Sequence, residues 1–256
     1  MVISMDRWRG KVAIVTGASS GIGASIAEKL VIEGLQVAGF ARRSERVEKL
    51  AKKLQGKKGK LVAVKVDITK EEDIIKGFKW VLDNLGPVHI LVNNAGILQP
   101  TNLTEGETKM WKKILDTNVL GLCIATREAV KIMKAGKIDG HIVHINSVTG
   151  HSVPKIPNLN VYPASKHAVT ALTESLRQEL NQLGLKIKIT SVSPGAVETE
   201  IVQANGFEIP PEVEVLRKGT PMMKSEDIAD SVLYALGTPP HVQVHELTVK
   251  PVGEKI

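Results

Sequence analysis

The chain has 256 residues, 43% hydrophobic and 24% charged, the balance of a soluble globular protein, and with only 3% aromatic content its core has to be built from Val, Ile, Leu and Ala. The net charge of +7 is spread thinly and is densest over Lys49–Lys60, where no aromatics interleave, which argues for a solvated helix face and loop and against a nucleic-acid interface. One cysteine, Cys123, excludes an internal disulfide and fits a reducing compartment; flanked by Leu122 and Ile124, it is expected to be buried. No apolar run approaches the about 18 residues of a membrane helix, and a strand-like run begins at Lys11 without an apolar signal region, so the expected location is cytoplasmic, with no membrane span.

Short β-branched runs alternate with helix-length amphipathic stretches from end to end, the pattern of a parallel sheet covered by helices. In chain order the spacing predicts strands over Lys11–Thr16, Gln36–Ala41, Leu61–Val66, Val88–Asn93, Gly140–Asn146, Lys186–Val192 and Val244–Val249. Helices are predicted over Ile22–Glu33, Glu45–Leu54, Glu71–Leu85, Glu107–Lys134, Val161–Leu183 and Ser225–Leu236, the fourth opening with an irregular turn. No Pro/Gly/Ser-rich linker divides the chain. The expected fold class is α/β: a single domain over 1–256 on a doubly wound, Rossmann-type, seven-stranded parallel sheet with helices on both faces. From Glu198 to Met223 neither period holds, and Gly206, Pro210, Pro211, Gly219 and Pro221 interrupt it, so this stretch is expected to be a mobile substrate lid.

The first strand runs into Thr16-Gly17-Ala18-Ser19-Ser20-Gly21-Ile22-Gly23 and then into a helix. At such a strand-to-helix turn, backbone amides and a helix N-terminus hold a dinucleotide pyrophosphate, and glycines let the phosphates approach. The spacing departs from G-x-G-x-x-G, so the strand–turn–helix context carries the reading. At the end of the second strand, about 20 residues on, an NAD site offers a carboxylate to the ribose 2′-hydroxyl, whereas a 2′-phosphate calls for arginine. The stretch there is Ala41-Arg42-Arg43-Ser44, with two guanidiniums and no acid, which favours NADP over NAD; the plainer reading is that both arginines start a surface helix.

Tyr162-Pro163-Ala164-Ser165-Lys166 sets a phenol and an ammonium four residues apart, on one face of a helix. Tyrosine works as a base near neutrality only if its phenolate is stabilised by roughly 3 pK units, about 4 kcal/mol, and a fixed lysine charge is the expected source. In isolation such a pair is more often a packed tyrosine beside a solvated lysine. The accompanying motifs decide between the two.

Together with Asn93-Asn94-Ala95-Gly96, Asn118, Ser147 and Pro194-Gly195, all in order, these motifs resemble the short-chain dehydrogenase/reductase family over nearly the whole length. Within it, the opening Met5-Asp6-Arg7-Trp8-Arg9-Gly10-Lys11 and the runs Gly140–Ser147 and Thr170–Leu180 resemble the subgroup of the animal dehydrogenase/reductase member 11 enzymes and the insect farnesol dehydrogenases. The resemblance implies an NADP-dependent oxidoreductase with Tyr162 as acid/base, Lys166 lowering its pKa and holding the nicotinamide ribose, Ser147 donating to the substrate oxygen, and Asn118 anchoring a water in a proton relay. The turn itself sets Gly17, Ser19, Ser20, Gly21, Ile22 and Gly23 at the pyrophosphate and the end of the second strand sets Arg42 and Arg43 at the 2′-phosphate, and the resemblance implies Asp67 with Ile68 at the adenine. It places Asn94, Ala95 and Gly96 on the ribose side, and Pro194, Gly195, Val197 and Thr199 at the nicotinamide carboxamide. It implies no metal, and a homodimer or homotetramer paired through the helices holding Asn118 and Tyr162. Singly, Asn118 could cap a helix kink, Ser147 end a strand and Asp67 cap a helix.

Two features depart from the family pattern. Fifteen positions separate Ser147 from Tyr162, with Pro154 and Pro157 between them, which is expected to reshape the substrate mouth. The ending His241–Ile256 lacks the usual glycine-rich sequence. The lid carries apolar residues such as Ile201, Val202, Phe207, Ile209, Leu216 and Met223, and each buried methylene is worth about 0.8 kcal/mol, enough to select a lipophilic substrate. The expected pair is farnesol and farnesal, followed by steroid or general carbonyl reduction. A non-catalytic NADP-binding sensor is the rival class, weakened by the presence of Asn118, Ser147, Tyr162 and Lys166 together.

Overall fold

The computed structural model describes residues 3–201 and 221–254, and among them seven strands form one parallel sheet in the order β3-β2-β1-β4-β5-β6-β7. The strands are β1 (Val12–Thr16), β2 (Gln36–Ala41), β3 (Lys60–Lys65), β4 (Val88–Asn93), β5 (His141–Ile145), β6 (Lys188–Pro194) and β7 (Glu246–Val249). Helices α1 (Gly21–Ile32), α2 (Ser44–Lys53), α3 (Glu71–Asn84), α4 (Thr108–Leu115), α5 (Gly121–Ala135), α6 (Val161–Gln182) and α7 (Ser225–Gly237) connect them.

Strands β1, β5 and β6 are buried at every position, as parallel strands covered on both faces must be. Alternation then divides their side chains. Ala13, Val15, Val92 and Val143 point into a core shared with α1, α2 and α7, whereas Val12, Ile14, Leu91 and Ile142 point into a second core shared with α3, α5 and α6. Each valine, leucine or isoleucine among them contributes about 1.5–3 kcal/mol of burial. Ahead of β1, Trp8 is buried and its Nε1 donates to the Leu236 carbonyl at 2.8 Å, fixing the first turn to the end of α7.

Sheet order reverses between β1 and β4, so the turns following these two strands diverge and leave a crevice at their C-terminal ends, where open α/β sheets bind ligands. Three expectations are corrected. The stretch 107–134 opens cleanly at Thr108, and its irregularity is a π turn at Asp116–Leu120 in the middle. Two polar side chains mark it: Thr117 Oγ1 donates back to the Lys113 carbonyl at 2.9 Å, and the Asn118 amide reaches out to the backbone of Ile97. Strand β6 runs to Pro194 and not to Val192, because β7 pairs with it to the end, Pro194 opposite Val249. Cys123 is only half-buried, since α5 turns Leu122, Ala125, Ala129 and Met133 inward and Cys123 falls beside that stripe; the burial it does have pushes its thiol up. Most of the expected lid, 202–220, lies outside the described residues. No helix among the described residues is long and apolar enough to cross a membrane.

Candidate active site

A groove of about 460 Å³ runs along the crevice, within the range of small-ligand sites. One wall is the turn between β1 and α1. Gly17 and Gly21 take positive φ values of 70° and 53°, and a Cβ on Gly17 would stand 2.9 Å from Ala95 Cα, so both the conformation and the close approach require glycine. Gly23 does not line the groove; a side chain there would strike the Gly17 carbonyl and the Asn94 amide. The first turn of α1 carries no acid, leaving its free amides and positive dipole end to an anion.

Asn94 ties the two diverging loops together. Its Nδ2 donates to the carbonyls of Thr16 and Gly17 at 2.9 and 3.3 Å, while Thr16 Oγ1 accepts the backbone amides of Asn94 and Ala95, each at 3.0 Å. Ala95 and Gly96 extend this wall. Beyond β2, Arg42 and Arg43 line the groove; Arg43 reaches Ser20 Oγ at 3.4 Å, and Glu200 lies 3.7 Å from Arg43 and 2.8 Å from Arg46. Asp67 accepts the Thr69 amide and hydroxyl at 3.1 and 2.8 Å. Burial pushes its carboxyl up, but the Thr69 hydrogen bonds and the charges of Arg42 and Lys70 outweigh this and leave it below its ordinary value. Ile68 lies beside it on the groove.

The opposite wall is built from the end of β5 and the first turns of α6. Ser147 follows β5 and heads a 3-10 turn, its Oγ accepting the Thr149 amide and hydroxyl at 3.1 and 3.0 Å and facing the Tyr162 hydroxyl. Tyr162 and Lys166 lie one turn apart on α6, with Lys166 Nζ 5.7 Å from the phenol ring centroid. Nζ donates to the Ile145 carbonyl at 2.9 Å. Asn118 is 2% exposed; its Oδ1 accepts the Ile97 amide at 2.9 Å, and its Nδ2 donates to the Ile97 carbonyl and to Ser165 Oγ at 2.9 and 3.0 Å.

The electrostatics bear on the Tyr162–Lys166 pair. Burial pushes the Tyr162 phenol up to about 12, with the Ser147 hydrogen bond drawing it back only in part, and burial brings the Lys166 ammonium down to about 8. With no cofactor bound, the burial of both groups therefore works against the lowering of the phenol that the resemblance implies. The reason is the order of titration: as pH rises, the lysine loses its charge before the phenol ionises, so its field is gone when the phenolate would need it. Near neutrality the site presents a neutral phenol, a proton donor, next to a cation.

Under Lys166 lies a buried polar layer that the sequence reading did not include. His144 Nδ1 meets Thr173 Oγ1 at 3.0 Å and its Nε2 meets Thr126 Oγ1 at 3.4 Å. Thr173 spends its own proton on the Val169 carbonyl, so Nδ1 carries the imidazole hydrogen and Nε2 accepts from Thr126. Burial, and then the Lys166 charge, bring His144 down to about 3, keeping it neutral.

The structure thus gathers Gly17, Ser19, Ser20, Gly21, Ile22, Arg42, Arg43, Asp67, Ile68, Asn94, Ala95, Gly96, Tyr162, Lys166 and Thr199 around one groove. Ser147 touches it through Tyr162, and Asn118 stands behind Gly96 and Lys166. Pro194 and Gly195 end β6 and begin the next turn, and Val197 is bridged to Met223 instead of lining the groove. Sequence reasoning missed Lys113, Thr117, Asn146 and Glu200, all on the groove. Thr117 and Asn146 adjoin residues it did find, which was a usable signal; Glu200 reaches Arg46 from 154 residues away, and no local pattern announces that.

A doubly wound sheet with a glycine turn, a polar strand end and a Tyr/Lys helix meeting at its switch point defines a dinucleotide-dependent oxidoreductase site. Residues 11–208 match the family described as short chain dehydrogenase, and the chain belongs to the short-chain dehydrogenase/reductase family, oxidoreductases that bind a nicotinamide cofactor. It is 55% identical to a farnesol dehydrogenase of Aedes aegypti, covering 98% of this chain and all of that one. It is 44% identical to dehydrogenase/reductase SDR family member 11 of Bos taurus, covering 98% of this chain and 99% of that one. Among solved structures it is similar to an alcohol dehydrogenase from the archaeon Thermococcus sibiricus in complex with 5-hydroxy-NADP, with TM-score 0.83, 28% identity, and 96% and 98% of the two chains covered.

Proposed function

We propose that this protein is an NADP-dependent oxidoreductase acting on a lipophilic alcohol/carbonyl pair, with farnesol and farnesal as the leading candidates. The observation that carries the reading is a neutral phenol, facing Ser147 and beside Lys166, on the same groove as two arginines that follow β2, a strand whose own end offers no carboxylate. The residues fit the cofactor: the cradle at Gly17 has no space for a Cβ, and the start of α1 offers free amides. When bound, the nicotinamide nucleotide supplies or takes up the hydride.

In this reading Tyr162 gives its proton to the carbonyl oxygen in reduction, and Ser147 donates to the same oxygen. Lys166 holds the nicotinamide ribose hydroxyls, and Asn118 anchors a water of the relay. Ser19, Ser20, Gly21 and Ile22 take the pyrophosphate, with Gly23 packing behind them. Asp67 and Ile68 take the adenine, and Asn94, Ala95 and Gly96 the ribose side. Pro194, Gly195, Val197 and Thr199 form the turn at the carboxamide.

Arg42 and Arg43 are assigned to the 2′-phosphate. Glu200 holds Arg43 and Arg46 only through exposed ion pairs, worth about 0–1 kcal/mol, so a phosphate competes readily with it. The 55% identity to a farnesol dehydrogenase and the apolar composition of 198–223, assigned as the lid of a single domain over 1–256, support the lipophilic substrate. We also assign a homodimer or homotetramer through α4–α5 and α6; Leu115 and Leu120, 43% and 52% exposed beside the π turn, supply apolar surface for it.

The test is kcat/KM with NADPH and NADH over a panel of isoprenoid, steroid and small polar carbonyls. The reading expects NADPH preference that collapses in an Arg42→Ala, Arg43→Ala double variant, and activity concentrated on the isoprenoid pair. NADH preference, or activity confined to small polar ketones, refutes it, and tight NADPH binding without any turnover would point to a sensor.

A further inference from the structure

The C-terminal segment departs from the family pattern, and the structure gives it a task. After β7 the chain turns at Pro251, Val252 and Gly253, the last with φ of 86°, and the Glu254 amide closes the turn on the Pro251 carbonyl at 3.2 Å. This brings the Glu254 side chain, 4% exposed, back over the end of β6. Its Oε1 accepts the Ala196 backbone amide at 2.8 Å. A Cβ on Gly195 would lie 2.5 Å from Oε1 and 2.7 Å from Oε2, so the carboxylate rests on the bare glycine peptide. Lys250 Nζ stands 3.4 Å from Oε2 as counter-charge.

Residue 196 is held from the other side as well. Its carbonyl accepts the Met223 amide at 3.0 Å, and the Glu198 amide donates to the Met223 carbonyl at 2.8 Å. Gly195 is fixed by the Val249 carbonyl at 2.8 Å. The turn that leaves β6 is therefore clamped between the tail and the chain returning at Met223, and Glu254 supplies the charged half of that clamp. Burying a carboxylate is costly unless charge-assisted hydrogen bonds offset it, and here the bond it makes fixes one particular peptide.

We propose that Glu254 is a positioning residue: it orients the Gly195–Ala196 peptide and so sets where the nicotinamide end of the cofactor lies against Tyr162. The inference rests on the reading above, in which Pro194–Thr199 receives that end. Because the adenosine half is bound by the turn after β1 and the arginines after β2, its binding is independent of Glu254.

The experiment uses the whole protein with Glu254→Ala and Glu254→Gln, titrated with 2′,5′-ADP for the adenosine half and with NADPH for the nicotinamide half, read by nicotinamide fluorescence. Glu254→Ala is expected to bind 2′,5′-ADP within about twofold of the parent, to lose the nicotinamide fluorescence change, and to lose about tenfold or more in kcat. Glu254→Gln keeps an oxygen for the Ala196 amide and is expected to stay within about threefold. If Glu254→Ala does not fold, Glu254→Asp replaces it, since its carboxylate stops about 1.5 Å short. Parent-like fluorescence and kcat in the variant overturn the inference, as does an affinity for 2′,5′-ADP that falls in step with kcat. A parent protein that binds no NADPH overturns the functional reading itself, a failure visible before any variant is made.

Discussion

Replacing Lys166 with methionine should leave the ionisation of Tyr162 unchanged in the cofactor-free protein. A full ammonium 5.7 Å from the phenol ring centroid, at an effective dielectric constant of about 20, would stabilise a phenolate charge spread over that ring by about 3 kcal/mol, or about two pK units. That would just cancel the rise to about 12 that burial causes. The lysine, however, is down at about 8, so by pH 10 only about 1% of it remains charged and the stabilisation is absent. The chain has two tyrosines, Tyr162 and Tyr234, so the tyrosinate absorbance of the parent minus that of Tyr162→Phe isolates the site. The expected difference is no Tyr162 phenolate below about pH 10, in the parent and in Lys166→Met alike. A phenolate forming below about pH 8 in the parent, or a rise of about two units on removing Lys166, would refute the titration order.

Two further outcomes follow from groups around the site. His144, brought down to about 3, binds no proton in the folded state at pH 5 while the unfolded chain binds one there below about pH 6.5; His141, fully buried and well below its ordinary value, acts in the same direction. The share of stability that His144 carries is therefore complete above that pH and falls as pH drops, by about 2 kcal/mol at pH 5; urea unfolding at about pH 7 and at pH 5 measures it, His144→Gln should lessen the drop by about that amount, and equal stability at both pH values would contradict the account. Asn94→Ala strips the donors from the Thr16 and Gly17 carbonyls and should cost about 1–3 kcal/mol, a fall of about 2–10 °C in Tm; an unchanged melting temperature would show that Asn94 does not brace the two loops.

Much of the fold could be read locally, and the exceptions share a cause. Gln36–Ala41 and Val88–Asn93 emerged with their true ends because apolar β-branched runs stop there at turn residues. The motif residues around the groove were legible for a related reason, since each sits on a short segment whose chemistry is local: glycines in a turn, arginines after a strand, a phenol and an amine one helical turn apart. What escaped depends on contacts across the chain. The π turn at Asp116–Leu120 reflects an amide drawn to Ile97, the true end of β6 depends on β7, and the charge states of Tyr162 and Lys166 depend on how deeply the fold buries them. Glu254 and Glu200 are ordinary surface-type residues in sequence and acquire partners only in three dimensions.

The central claim is that the Tyr162 hydroxyl is the proton donor of the reaction, and Tyr162→Phe tests it with the loss of a single oxygen. The account predicts a kcat for carbonyl reduction lower by about a hundredfold to ten-thousandfold, with 2′,5′-ADP affinity unchanged. A phenylalanine variant that turns over within about threefold of the parent would contradict it.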